Sequence, residues 1–428
     1  MFLTGRLALL VAVGVVPVVM LAAAGASPWA VAAGWIVLCA IAACVDAAAA
    51  ASPRRVDVSR NLPARARLGE PVAAALTVRN TGTRRIRGRM RDAWQPTAGA
   101  PDARIRVDLP PGERRTYAIP LLPRRRGELR TGFVVIRSNG PLGLAGRQAV
   151  VAAPGALRVL PPFTARRHLP SRLARLRELD GATSVQVRGA GTEFDSLREY
   201  VRGDDVRSID WRATARAGTT MLRTWRPERD RHIVVVVDTG RTAAARVGDG
   251  TRLDAAFEAT LLLAALATRA GDHLHVVLFD RIPRARVTRV EGPALLPALV
   301  DAMAPVDPQL IDTDWDAAFA AARTLATHPA LVVLLTAQDE PEASRGFLAS
   351  LPSLAGTHVL VGTATDEDPA LADEDAYAAA ARERSQHDAD RVAAAIRRAG
   401  AEAITASADD LPPRIADRYL ALKALGRL

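Results

Sequence analysis

Lysine is almost missing from this chain: of 57 basic residues, only Lys423 is not an arginine. That excludes a phosphate-binding Gly-rich loop ending in lysine and leaves Schiff-base chemistry without a suitable amine. Cysteine is nearly as scarce. The two present, Cys39 and Cys44, lie in an apolar run, so no disulfide framework is available. Aromatic residues make up 4% of the chain, which leaves most of the burial to aliphatic side chains. No Gly-x-Ser-x-Gly elbow and no His-Glu-x-x-His pair occurs, removing two common hydrolase designs. What is there, 428 residues, is enough for two or three domains with ample core.

Charge is unevenly spread. Residues 52–170 carry 24 arginines against 7 acids, whereas residues 232–428 carry 19 basic and 28 acidic residues. The chain is therefore bipolar, basic in front and acidic behind. The excess of arginine over lysine reads as codon bias, so no nucleic-acid partner is expected. Beside a membrane anchor, a basic face is instead attracted to an anionic membrane surface. The anchor is legible: Leu7–Ala26 and Trp29–Val45 are uncharged, with only Ser27 and Pro28 between them. Each run approaches the ~20 apolar residues needed to cross a bilayer. A cleaved signal peptide competes, since Ala22–Ala26 offers small residues, but cleavage would leave the second run at the new N-terminus. Arg6 flanks the start, and Arg54, Arg55 and Arg60 flank the end. Both ends of this two-helix hairpin are therefore expected in the cytoplasm, with the soluble domains, at the inner membrane. Asp46, near the inner end, is expected at the interface.

Residues 53–162 read as a small β-sandwich-like domain. Alternation appears at 72–78, 105–109, 116–119 and 133–136, and turn signals intervene at Asn80-Thr-Gly82, Pro110-Pro-Gly112 and Asn139-Gly-Pro141. From residue 231 to 428 the pattern changes to strands alternating with helices, which predicts a doubly wound, mostly parallel α/β sheet. Ile233–Val237, Leu274–Phe279, Leu331–Leu335, His358–Val361 and Ala403–Thr405 are its strands, and Arg284–Val290 a candidate edge. Asp238, Asp280 and Asp339 fall just beyond strand ends, where such folds bind ligands.

The connecting segment, 163–230, holds the densest pattern. Between Gly191 and Arg216, six acids and five arginines interleave with Phe194, Leu197, Tyr200, Ile209 and Trp211. Asp195–Arg202 reads as a short helix ended by Gly203, with Asp204 or Asp205 capping a second helix toward Gly218. Such charge density around large apolar residues predicts a partly buried ion-pair network of Arg198, Arg207, Asp210 and Arg216. Asp210 with Glu199 could also form an acid–base pair, but so many neighbouring arginines favour ionised structural partners. Gly189-Ala-Gly191 has only the spacing of a dinucleotide loop. His273 and His275 share a strand face without an evident third ligand, so a core or edge role is expected.

Leu197-Arg-Glu-Tyr200, Gly203-Asp-Asp205, Arg207, Ile209-Asp-Trp211 and Thr214-Ala-Arg216 together form a long, specific pattern. It resembles family fifty-eight of the bacterial domains of unknown function, and Arg126-Gly127 and Pro141-Leu-Gly-Leu144 match pieces that precede the pattern there. The resemblance implies a von Willebrand factor A-like domain from about residue 231. It further implies association with MoxR-type AAA+ ATPases and transglutaminase-like membrane proteins. Metal sites in A-like domains use an Asp-x-Ser-x-Ser loop, a later Thr and a second acid. Asp238, Thr242 and Thr313 match that set, but Gly240 replaces one hydroxyl and Thr336-Ala337 stands where the second acid would be. The resemblance thus implies a degenerate Mg²⁺ site, or a docking surface that has lost its metal, at Asp238, Thr242 and Thr313. The expected function is a membrane-tethered cytoplasmic adaptor or scaffold without catalysis, aiding assembly or maturation of protein complexes. The alternative is a metal-dependent hydrolase using the strand-end acids.

Overall fold

The computed structural model describes every residue except 102–103, 187–192, 203, 227–230, 249 and 367–375. Two compact units divide the chain, Met1–Leu160 and Pro161–Leu428.

The first unit begins with β1 (Phe2–Leu3), then α1 (Gly5–Val13), α2 (Val15–Ala23) and α3 (Pro28–Ala49). Gly5–Ala23 and Pro28–Arg55 are long and apolar enough to cross a membrane, and few of their side chains are buried. Gly14 breaks the first span because its N–H turns to Val11 O. Leu10 O accepts instead from the Trp35 indole at 3.1 Å, the kind of repair that a bilayer core, with no water to bond the carbonyl, would require. A Cβ on Gly14 would stand 2.2 Å from that indole.

Eight strands follow: β2 (Val56–Asn61), β3 (Arg65–Arg67), β4 (Val72–Asn80), β5 (Ile86–Trp94), β6 (Ile105–Leu109), β7 (Arg114–Leu121), β8 (Gly127–Asn139) and β9 (Ala145–Leu160). One sheet runs β1-β9-β8-β5-β6 with β3 beside β9; the other runs β2-β4-β7. Their inward residues, Leu76, Val78, Met90, Val107, Ile136 and Leu157 among them, make one core. β8 and β9 are far longer than the short strands expected. Pro154-Gly155 looks like a turn in sequence, yet β9 carries it in a bulge between Ala152 and Gly155, opposite Thr131 and Phe133 of β8. Between the sheets Arg60 grips Asp92 through two bonds of 2.6 and 2.7 Å, with both side chains 3% exposed. Trp94 donates to the same carboxylate, and its ring faces the guanidinium.

The α3 helix docks on this domain through Asp46. Its buried carboxylate accepts the backbone N–H groups of Leu142, Leu144 and Ala145 at 2.7–2.9 Å. A side chain at Gly140 would strike Asp46 at 2.3 Å. The Asn139–Leu144 turn is therefore a socket for the end of a membrane-length helix.

The second unit opens with α4 (Leu169–Gln186), β10 (Glu193–Glu199), α5 (Trp211–Ala217) and β11 (Met221–Arg226). Then come β12 (His232–Asp238), β13 (Arg246–Val247), β14 (Gly250–Thr251), α6 (Arg252–Ala270), β15 (His273–Phe279), β16 (Pro283–Val287), α7 (Leu295–Met303) and α8 (Trp315–Leu325). The chain finishes with β17 (Leu331–Leu335), α9 (Arg345–Ser350), β18 (His358–Thr365), α10 (Ala376–Arg398), β19 (Glu402–Ser407) and α11 (Leu411–Ala424). The large sheet runs β16-β15-β12-β17-β18-β19, parallel except for edge strand β16. In strand number this is 3-2-1-4-5-6, with the reversal of order between β12 and β17.

Burial on both faces explains the unbroken apolar run of β12. Ile233, Val235 and Val237 join the core under α6 and α11, while Val234 and Val236 join that under α8, α9 and α10. Each such side chain contributes roughly 1.5–3 kcal/mol. A capping box at Thr251 and Asp254 starts α6, and Gly271, at φ 73°, ends it. Lys423, the single lysine, is spent on buried Asp272 at 2.9 Å, beside the Tyr419 hydroxyl that donates to the same group.

Candidate functional site

Topology puts the first candidate where the sheet order reverses, outside the ends of β12 and β17. Asp238 ends β12 and is buried. Its Oδ1 accepts from Gly240 N at 2.8 Å and Thr313 Oγ1 at 2.5 Å; its Oδ2 accepts from Thr336 Oγ1 at 2.7 Å. Gln338 Nε2 donates in turn to Thr336 Oγ1 at 3.0 Å. Burial pushes the Asp238 carboxyl above its ordinary value, although the three donors oppose it. Gly240 leaves room for this arrangement: a Cβ there would lie 2.3 Å from Thr313 Oγ1. The structure thus joins Asp238 and Thr313 but not Thr242, which is half-buried in the same loop without a hydroxyl partner among the described residues.

The other two strand-end acids are held by arginines. Asp280 accepts from Arg284 Nε at 2.6 Å, from Thr239 Oγ1 at 2.9 Å and from the amides of Arg281 and Ile282. Desolvation works against its charge, but Arg284 and the amides prevail and hold the carboxyl below its usual range. Asp339 pairs with Arg252. A small cavity of about 10 Å³ is lined by Asp238, Arg252 and Thr336 among others, room for about one water.

Mg²⁺ requires near-octahedral oxygens at about 2.0–2.1 Å. Here Asp238, the acid of the set without an arginine, already accepts three hydrogen bonds from its own domain, and its two neighbours are paired with arginines. These residues do not fit a Mg²⁺ centre. Thr336, Arg252 and Arg284 were missed in sequence because each reaches its acid across the sheet or around a hairpin, and Gln338 because it acts only through the Thr336 hydroxyl.

The signature segment folds differently from expectation. Residues 195–199 belong to a strand, β10, paired antiparallel with β11, and not to a helix. Asp205 caps only the short turn Val206–Ser208, and Asp210 caps α5, which ends at Gly218 with φ 71°. The network of Arg198, Arg207, Asp210 and Arg216 is not formed. Arg198 pairs with Asp204 at 2.6 Å and Asp210 with Arg223 at 2.7 Å, as two separate bridges. The backbone amide of Ala213, then Arg223, keeps the Asp210 carboxyl below its usual range. Arg207 and Arg216 are exposed, without ion pairs among the described residues. Trp211 is 70% exposed, Leu197 is exposed, Tyr200 is half-buried, and Gly203 lies outside the described residues. Thr214 Oγ1 accepts from Met221 N at 2.9 Å, tying α5 to β11.

At the opposite end of the sheet, His232 joins His273 and His275. His232 Nδ1 and His275 Nε2 are 2.9 Å apart in rings only 15° from parallel planes. Burial, then the other two imidazoles, holds His275 below its ordinary value. Among the described residues no group of three or more His, Cys, Asp or Glu side chains is arranged to hold a metal.

Residues 196–407 match the model of a family described as "Protein of unknown function DUF58". That stretch, just under half of the chain, is similar to the family. The DUF58 match opens inside β10 and closes with the last residue of β19, so it holds the signature hairpin and the whole parallel sheet. No curated protein matches the chain. Among solved structures, the CARDB domain of the PF1109 protein from Pyrococcus furiosus is 15% identical, covering 24% of this chain and 86% of that one at TM-score 0.19. A chain in the human complex of zinc 2-glycoprotein with prolactin inducible protein is 15% identical, covering 24% and 92% at 0.21. Beta-glucosidase from Listeria innocua is 15% identical, covering 24% and 16% at 0.18.

Proposed function

We propose that this chain is a membrane-tethered cytoplasmic adaptor whose α/β domain, von Willebrand factor A-like, offers its strand-end loops to a protein partner. The observation that carries this reading is the contrast between internally satisfied acids and exposed apolar loops at one edge. Asp238, Asp280 and Asp339 are satisfied internally. Around them Leu310 is 79% exposed and Ile282 53% exposed, beside the Arg241–Asp312 pair. Apolar side chains with a charged rim suit protein contact. The 3-2-1-4-5-6 order with an antiparallel edge supports the A-like assignment. Arginines 6, 54 and 55 flank the hairpin at one end, and no charged residue lies at the Ala24–Pro28 end, which supports a cytoplasmic location. The family resemblance supports a MoxR-type AAA+ ATPase as the partner, with a transglutaminase-like membrane protein nearby, in assembly or maturation of protein complexes.

Because Asp238 is buried, Asp238→Arg would test folding more than contact. The informative variants are Leu310→Arg and Ile282→Arg. Each should abolish capture of a MoxR-type ATPase from native membranes, with or without ATP, while leaving the thermal midpoint unchanged. Chelator should have no effect. Undiminished capture by both variants would place the interface elsewhere, and capture lost to chelator and restored by Mg²⁺ would favour a metal-dependent mechanism, including the hydrolase alternative.

A further inference from the structure

The inner end of α3 carries a second feature that the adaptor reading does not use. An open cavity of about 490 Å³ lies against Ala48, Ala50, Ala51 and Ser52 and is walled by Arg55, Arg84, Arg147, Gly82 and Thr83. No Asp or Glu lines it. Arg84 Nη1 donates to Ala48 O and Ala49 O at 3.1 and 3.2 Å, and Arg147 Nε donates to Ala47 O at 2.9 Å. These bonds satisfy the last carbonyls of the helix. They use few of the guanidinium N–H groups, and Arg55 uses none of its own on an acid. About a dozen N–H donors therefore remain on three arginines. The hydroxyls of Ser52 and Thr83 also have no protein partner among the described residues. Asn80, fully buried, shapes the opposite wall: its amide accepts from Gly82 N and donates to Arg84 O and Leu109 O.

Two faces of α3 converge on this cavity. Cys39, Ala43, Asp46 and Ala47 form the buried face. Val37, Ile41 and Val45, four residues apart, form an exposed apolar stripe that runs down to exposed Ala48 at the cavity. A basic cavity alone would accept any phosphate. A basic cavity continuous with an apolar stripe on a membrane-length helix matches a molecule with a phosphate at one end and acyl chains at the other.

We infer that this cavity binds the head group of an anionic phospholipid, with the phosphate between Arg55, Arg84 and Arg147 and the acyl chains along Val37, Ile41 and Val45. The inference rests on the reading that α3 spans the membrane. It adds a defined lipid site to the diffuse attraction of the arginine-rich domain.

The test uses the full chain reconstituted in phosphatidylcholine with or without phosphatidylglycerol, and native mass spectrometry to count retained lipid. Arg55→Glu and Thr83→Asp alter the cavity without touching the helix carbonyls, and Arg54→Glu makes the same charge change next door. The wild type and Arg54→Glu should retain phosphatidylglycerol in preference to phosphatidylcholine. Arg55→Glu and Thr83→Asp should lower that preference roughly tenfold or more. Equal losses in Arg54→Glu and Arg55→Glu would overturn the site in favour of general surface charge. Displacement of the lipid by millimolar inorganic phosphate would overturn it in favour of a free anion. Release of the wild type from membranes by alkaline carbonate would instead sink the anchor reading itself.

Discussion

Arginine–aspartate pairs occur in the β-sandwich and in the signature hairpin, under opposite conditions. Arg60 and Asp92 lie on different sheets, 32 residues apart, and meet in the core with both side chains 3% exposed. Arg198 and Asp204 lie six residues apart, and their side chains are 36% and 23% exposed. The alternating charges of the signature are dense in sequence yet form local, solvated bridges that fix a hairpin and a short helix. The buried pair announces itself with no local pattern at all. Charge density along a chain therefore reports on local pairing, whereas burial is decided by which sheets face each other.

The largest effect expected from this difference is at Asp92. Asp92→Ala strands a guanidinium in the core and should cost about 3–5 kcal/mol in urea denaturation of the detergent-solubilised protein. Replacing both partners, as Arg60→Met with Asp92→Leu, should recover most of that loss. Failure to recover would mean that Trp94 and Ala153 O, which also bond the pair, contribute as much as the pair itself.

Asp238 sharpens the comparison, since it is buried with hydroxyls instead of an arginine. Its raised value means the folded state holds its proton longer than the unfolded state. Its contribution to stability therefore falls as pH rises from about 4, the ordinary value, toward the raised one. Asp238→Asn should remove that slope and keep or raise stability at neutral pH by up to ~1 kcal/mol. A marked loss at neutral pH would show that the ionised carboxylate is needed.

Smaller effects belong to the hairpin. Asp210→Ala removes the cap of α5 and the Arg223 bridge, so hydrogen exchange at Arg212 and Ala213 should quicken while the global midpoint moves less than for Asp92→Ala. Because the Asp210 carboxyl is held low, its contribution is present above the ordinary carboxylate range and disappears only as pH falls below it. Arg198→Ala should be smallest, and indistinguishable from wild type in high salt.

Period and punctuation made much of the α/β unit legible. The run at 331–335 is β17, and the valines of β12 are buried on both faces as a central parallel strand requires. Long β9 was hidden by Pro154, because a bulge can absorb what reads as a turn. The strand-end site was half legible. Asp238 follows from its place at a strand end and Thr313 only from the resemblance to A-like domains, while Thr336 entered the sequence only as a missing acid, and its hydroxyl occupies one carboxylate oxygen. His232 was invisible as a partner of His275 because strand pairing, not spacing, brings β12 beside β15.

The Asp46 socket has a mechanical consequence. β8 and β9 are 13 and 16 residues long, or about 40–50 Å at the rise of an extended strand. Their connecting turn clasps the helix end through three amides, and β1 adds a pair of ladder positions at Phe2 and Leu3. Such a joint resists twist about the helix axis as well as bending. Any tilt imposed on the helix is then delivered to the far end of the hairpin as a lever stroke.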